Sequence, residues 1–340
     1  MRICVVGGGG AIGGYLAVVL ARAGNDVTVV ARGATLKAIQ DHGLRLIMEG
    51  ETEPMSANIR AVERLVDADV PDVVILAVKA HQVTPIARYL KTLLDANPDT
   101  VLIPMQNGIP FWYFQRHGDG YEGRMVESVD PDGEIMRQIN PAQILGCVVY
   151  PATTTESPGL IRHVEGNRFP LGELDGQISE RATRIAEVFV AAGLKSPVLE
   201  NIRAEIWLKL WGNMTFNPIS ALTHGTLEGI CQYPLTRELA RQMMTEAQTI
   251  ANKLNITFRV DIERRIGGAE KVGRHKTSML QDLEAGRALE VDALLGSVIE
   301  LGRITETPTP CLSTVFALTR YLDVNVQESQ GKLALPGAAH

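Results

Sequence analysis

Lys209, Asn213 and Asn217 follow one another at steps of four in a stretch whose other members include Ile206, Trp207, Leu208, Leu210, Trp211, Met214 and Phe216. At about 100° per residue the three polar residues lie on one slowly drifting helix face, a narrow polar stripe on a helix built for burial. Burying such groups without partners is costly, so the stripe calls for something to bind. An ammonium can donate to an oxygen that gains negative charge, and each amide both donates and accepts, which suits hydroxyl and carboxylate groups. Plainer roles stay open: Lys209 can form an exposed ion pair with Glu205 one turn earlier, and the asparagines can be helix-end residues before Pro218. Trp207 and Trp211 read as core.

A second constellation opens the chain. Residues 3–6 are a short apolar run, 7–14 a glycine cluster and 15–23 an apolar helix ending at Gly24. That is strand, tight turn and helix, followed by a second strand over 26–30. Gly8, Gly10 and Gly13 have dinucleotide-binding spacing: one for the turn, one for close approach of a pyrophosphate, one for helix–strand packing. Cofactor contacts are therefore expected at Gly8, Gly10, Ala11, Ile12 and Gly13, against the alternative of a purely structural turn. NAD sites carry an acidic residue at the end of the second strand, to bind ribose hydroxyls. This chain has Ala31 and Arg32 there. An arginine can pair with an additional ribose phosphate that a carboxylate would repel, which favours NADPH/NADP unless Arg32 is merely a solvated loop charge.

The elements needed to position these groups are also legible. Runs 73–78 and 101–105 are short, branched and flanked by turns or helix, as buried parallel strands are. Lys79 follows one and Gln106-Asn107-Gly108 the other, and ligands bind beyond the carboxyl ends of such strands. Lys79 and Asn107 can thus reach the nicotinamide end of a cofactor. Their alternatives are a solvent-facing strand cap and a turn residue. Residues 111–138 read as an irregular excursion over the mouth of a site, before an apolar run at 144–150, a helix over 180–192 and a strand-like exit at 195–199.

Beyond Glu200 helical periodicity takes over. The expected architecture is an α/β Rossmann-type N-terminal domain (1–195), an all-α C-terminal domain (196–326) whose last helix spans 312–322, and a loosely ordered tail (327–340). With 340 residues, two domains are the natural expectation. Net charge −6 and pI near 5.7 argue against a general grip on nucleic acid or an anionic membrane, leaving a small-molecule partner. Cys4, Cys147, Cys231 and Cys311 lack paired spacing, so no metal site is expected, and they read as buried thiols of a cytoplasmic protein. Six glycines interrupt the signal-peptide-like stretch 3–21, and no other segment has the length and purity to span a membrane. Apolar helix faces in the second domain would pair into a homodimer or be satisfied within a monomer; both readings stand.

Over nearly its whole length the sequence resembles the ketopantoate reductase family. The resemblance rests on Gly8-Gly9-Gly10-Ala11-Ile12-Gly13, Val78-Lys79-Ala80 with Gln82, Asn107-Gly108, the run 207–218 and the run 278–292, in the family's order. It implies NADPH-dependent reduction of a small 2-oxo acid, 2-dehydropantoate, to (R)-pantoate. It also implies a catalytic lysine at Lys209, a catalytic-site glutamate at Glu290, substrate contacts at Asn213, Asn217 and Ser278, and cofactor-end positions at Lys79 and Asn107. Taken alone, Glu290 reads as a solvated charge in a long helix beside Asp292, and Ser278 as a helix cap. Besides an irregular segment at 111–138 longer than in compact members, two departures stand out: His275 occupies a place where an asparagine contact is expected, and 223–227 supplies no further asparagine. They leave open a related 2-oxo acid as substrate. A non-catalytic NADPH sensor is the rival of another class; it would have no use for Lys209 with Glu290.

Overall fold

In the computed structural model, residues 1–329 are described. Contacts divide them into two units. The first comprises 1–106, 110–125 and 130–202; the second takes 107–109, 126–129 and the chain from Arg203 onward.

The first unit runs β1 (Arg2–Val6), α1 (Ala11–Arg22), β2 (Asp26–Val30), α2 (Gly33–His42), β3 (Leu44–Ile47), β4 (Met55–Ala57), β5 (Arg60–Val62), β6 (Val73–Leu76), α3 (Ala87–Asp95) and β7 (Val101–Pro104). It continues through β8 (Leu145–Cys147), β9 (Ala152–Ser157), β10 (Leu160–Glu165), β11 (Leu171–Glu173) and α4 (Glu180–Ala191). Five strands form a parallel sheet in the order β5-β2-β1-β6-β7. In four of its strands every residue after the first is buried, and β6 and β7 are nearly pure valine, isoleucine and leucine, because a parallel sheet is covered on both faces.

A second sheet, β4-β3-β10-β9, is absent from the sequence reading. It packs on α1: a Cβ on Gly14 would lie 2.6 Å from Ile161, and Tyr15 stacks on His163 with ring centroids 4.8 Å apart. Sheet thus flanks α1 on more than one side. Its hydrophobic character all round, which mimicked a leader segment, is what such a position demands.

The excursion over 111–138 is anchored in the core at several points. Trp112, Tyr113 and Phe114 are each at most 1% exposed, and a Cβ on Gly146 would meet the Trp112 ring at 2.9 Å. Its four consecutive apolar residues anchor it in the core, while buried Asp130 accepts from the backbone N–H groups of Ile135 and Met136. Residues 195–199 do run beside the first unit's strands: Phe169 N donates to Lys195 O and Leu199 N to Leu171 O. Residues 196–202 accordingly join the first unit, whereas the sequence reading gave them to the second.

The second unit is helical: α5 (Ile202–Thr223), α6 (Leu227–Gln232), α7 (Pro234–Lys253), α8 (Ile262–Lys271), α9 (Ser278–Glu284), α10 (Ser297–Ile304) and α11 (Pro310–Glu328). Helix α11 reaches beyond 312–322 and includes Gln327 and Glu328; the remainder of the expected tail, 330–340, lies outside the described residues. Trp211 is fully buried in α5, stacks on Phe258 at 3.9 Å and donates its indole N–H to Met244 O, so its polar atom is satisfied. Among the described residues no helix is long and apolar enough to cross a membrane.

Candidate functional site

In the first unit the turn between β1 and α1 is shaped by glycine at two places. Gly7 has φ +82°, and a Cβ there would lie 2.8 Å from Ala77 O, so the left-handed position is Gly7 and not Gly8. A Cβ on Gly13 would sit 2.4 Å from Gly7 O, which fixes how closely α1 can approach the turn. Gly8 is packed against Val29. The run of four glycines hid which one takes the turn.

Helix α1 begins after Gly10 with no acidic side chain in its first turn. Its first N–H groups, those of Ala11, Ile12 and Gly13, have no acceptor within the helix and carry the positive end of the helix dipole. An anion fits there. Past the end of β2, Arg32 is the exposed N-cap residue of α2, whose first turn also lacks acidic residues. These features fit a phosphorylated dinucleotide: a cradle that any Cβ would fill, a helix N-terminus for the pyrophosphate, and a cation in place of the ribose-binding carboxylate. Lys79, half-buried at the carboxyl end of β6, opens a single 3-10 turn closed by Gln82, whose Oε1 accepts from Lys79 N at 3.0 Å.

In the second unit α5 carries the polar stripe. Asn213 and Asn217 are inside the helix, which continues through Pro218 to Thr223, so they are not helix-end residues. Glu205 is 1% exposed and receives Arg259 at 3.3 Å, so it is a buried carboxylate and not the exposed, solvated charge that the sequence alone suggests beside Lys209. Half-buried Lys209 donates from Nζ to Asn107 Oδ1 at 2.6 Å, and Asn107 Nδ2 donates to Glu290 Oε2 at 3.5 Å. Three residues from distant parts of the chain thus meet at one amide. Asn217 donates to Ser278 Oγ at 3.3 Å.

Glu290 is not inside a long helix. Residues 287–290 are irregular, and the helical turn after them is a π turn over Asp292–Gly296. Wide turns of this kind are rare and are found frequently at functional sites. Here Ala293 O accepts from Ile109 N at 3.2 Å and from Ser297 Oγ at 2.7 Å. Gly108, with φ +87°, lies so close that a Cβ would be 2.0 Å from Ala293 O. The backbone beside Asn107 is therefore docked on the turn that follows Glu290, an arrangement no sequence spacing announced.

Ser278 is the first residue of α9 and exposed; the cap is Thr277, whose Oγ1 accepts from Leu280 N. That leaves the Ser278 hydroxyl to Asn217. Leu227 N donates to His275 O at 3.1 Å, so the two stretches that depart from the family pattern run side by side. Among the described residues no cluster of three or more His, Cys, Asp or Glu could hold a metal ion.

A Rossmann-type unit joined to a helical unit bearing lysine, amide and carboxylate together is the architecture of a two-domain oxidoreductase. The model described as ketopantoate reductase PanE/ApbA matches residues 3–176, and its C-terminal counterpart matches 201–323. The 2-dehydropantoate 2-reductase of Mesorhizobium japonicum is 53% identical over 325 residues, covering 95% of this chain and 98% of its own. A crystal structure from Ralstonia solanacearum MolK2, assigned to the ketopantoate reductases, superposes with TM-score 0.90 at 40% identity over 96% of this chain and 98% of that one. The ternary structure of D-mandelate dehydrogenase with NADH and anilino(oxo)acetate shares the fold, at TM-score 0.81 and 20% identity, covering 96% and 100%. The chain belongs to the ketopantoate reductase family.

Proposed function

We propose that the protein reduces the keto group of 2-dehydropantoate to give (R)-pantoate, with NADPH as the reductant. The observation that carries this reading is the Lys209–Asn107 hydrogen bond with Glu290 on the same amide. When bound, the reduced nicotinamide supplies a hydride to the keto carbon. Negative charge then develops on the keto oxygen, where the Lys209 ammonium donates a hydrogen bond and delivers the proton. Asn107 directs that ammonium by accepting from it, and Glu290 holds the amide from its other side.

Asn213, Asn217 and Ser278 supply donors and acceptors for the substrate's hydroxyl and carboxylate. Gly8, Gly10, Ala11, Ile12 and Gly13 hold the pyrophosphate, Arg32 the additional ribose phosphate, and Lys79 stands at the nicotinamide end. The absence of an acidic residue at the end of β2 and in the first turn of α2 supports the phosphorylated cofactor over NADH. The same reading puts the reaction in the cytoplasm, where unpaired thiols persist.

Purified protein with NADPH and a panel of 2-oxo acids, followed by loss of reduced-cofactor absorbance, tests it. Fastest oxidation is expected with 2-dehydropantoate. A different acid turned over more efficiently would reassign the substrate, and binding without turnover of any acid would leave a cofactor sensor.

A further inference from the structure

The irregular backbone at 287–290 does not by itself fix where Glu290 points. Its neighbours on both sides are fastened to the last helix, α11. Leu289 N donates to Asp323 Oδ1 at 2.9 Å, and Asp323 is 8% exposed. The Arg320 guanidinium contacts both carboxylate oxygens of Asp292 and approaches Asp323 Oδ2 at 3.7 Å. The segment 289–292 is therefore gripped at its first and last residues by one turn of α11, and Glu290 lies between the grips. One guanidinium nitrogen of Arg320 holds the Asp292 carboxylate by charge-assisted contacts, and the buried Asp323 carboxylate fixes the Ala288–Leu289 peptide plane, one peptide before Glu290.

We propose that Arg320 and Asp323 are positioning residues: they set the direction in which Glu290 presents its carboxylate to Asn107, and through Asn107 the aim of the Lys209 ammonium. The proposal rests on the reading of Glu290 as a member of the reductase site. The effect travels through the few residues of backbone between Leu289 and Asp292. Displacement of a catalytic group by about 1 Å from a remote change can cost about 10²-fold in rate.

The test is a double-mutant cycle. Arg320→Met and Asp323→Asn are made in the full chain, alone and combined with Glu290→Gln. For each protein, kcat and KM for 2-dehydropantoate are measured across the neutral pH range, alongside NADPH affinity by fluorescence titration and the thermal midpoint. Arg320 is half-exposed, and Asn at 323 keeps an acceptor for Leu289 N, so both variants are expected to fold. Expected is a fall of kcat by up to about 10²-fold in each single variant with NADPH affinity held, a changed pH profile, and no further fall once Glu290 is already Gln. Arg320→Lys should recover part of the rate.

Equal losses in both backgrounds would make α11 a general structural support and overturn the proposal, as would wild-type kcat in the single variants. Full turnover by Glu290→Gln alone is a different failure: it removes Glu290 from the site and the proposal with it.

Discussion

The Lys209 ammonium donates a 2.6 Å hydrogen bond to Oδ1 of Asn107, a residue 102 positions earlier in the chain. The bond is charge-assisted and partly withdrawn from water, where such bonds are short and about twice as strong as neutral ones. It gives the ammonium one direction in place of a cone of them, which a donor aimed at a developing oxyanion requires.

Replacing Lys209 by Ala removes both the donor and the proton source. Turnover of 2-dehydropantoate should fall by about 10²–10⁴-fold, the usual contribution of a positioned acid. NADPH binding, which the reading assigns to the turn before α1, should stay within a few fold. Steady-state rates and a fluorescence titration check the two halves separately, and a large loss of cofactor affinity would mean that the lysine is misassigned.

Gly108→Ala strikes the same site through the backbone. At φ +87°, with Ala293 O 2.0 Å from any Cβ, the peptide must move, and Asn107 moves with it. A left-handed non-glycine residue costs about 1–3 kcal/mol, to which the clash adds. Expected is a lower urea midpoint together with a turnover loss that a change of similar stability elsewhere does not produce.

Gly13→Ala should act on the cofactor. Its Cβ would lie 2.4 Å from Gly7 O, so α1 is driven away from the turn and its first N–H groups lose their aim. NADPH affinity is expected to drop at least about tenfold, equivalent to about 1.4 kcal/mol, while the helical second unit keeps its circular dichroism. Undiminished affinity would show that the pyrophosphate does not sit on these amides.

Arg32→Asp reverses the charge past the end of β2. A carboxylate can accept from ribose hydroxyls and repels a phosphate, so the ratio of kcat/KM for NADPH over NADH should invert toward NADH. An unchanged ratio would remove the reason for assigning the phosphorylated cofactor.

The cysteines should be slow toward thiol reagents in the native protein. Burial pushes the Cys4 thiol up to about 12, and burial together with Glu270 pushes Cys231 up to about 11. Cys147 is buried, and the half-buried Cys311 is raised by burial and by Glu246. Reactivity follows the thiolate, so fast labelling near neutral pH is expected only after denaturation. Rapid native labelling of Cys4 would reveal local opening of β1.

The β1-turn-α1 unit, the strands β2, β6 and β7, and the helical second half could be read from the chain. So could the Lys209 stripe. Each is written in the spacing of near neighbours: glycines at fixed offsets, branched runs between turns, polar residues at steps of four. Beyond that reach the reading failed in identifiable ways. The sheet over α1 pairs β10 with β3, more than a hundred residues apart, and its strands are short and mixed in polarity. Gly8 was chosen for a turn that Gly7 makes, because four successive glycines carry no mark of which one is crowded by Ala77. That the Asn107 side chain lies on Lys209 and Glu290 has no mark in the spacing of the three residues.

The sequence by itself therefore determined the order of those locally written elements and the chemical type of the groups available. Tertiary structure alone decided which of those groups meet: Lys209 with Asn107, Asn107 with Glu290, Asn217 with Ser278. Local propensity depends on neighbours within a turn or two, whereas a buried polar group finds its partner wherever packing brings a complementary atom, and that distance is not recorded in the chain's spacing.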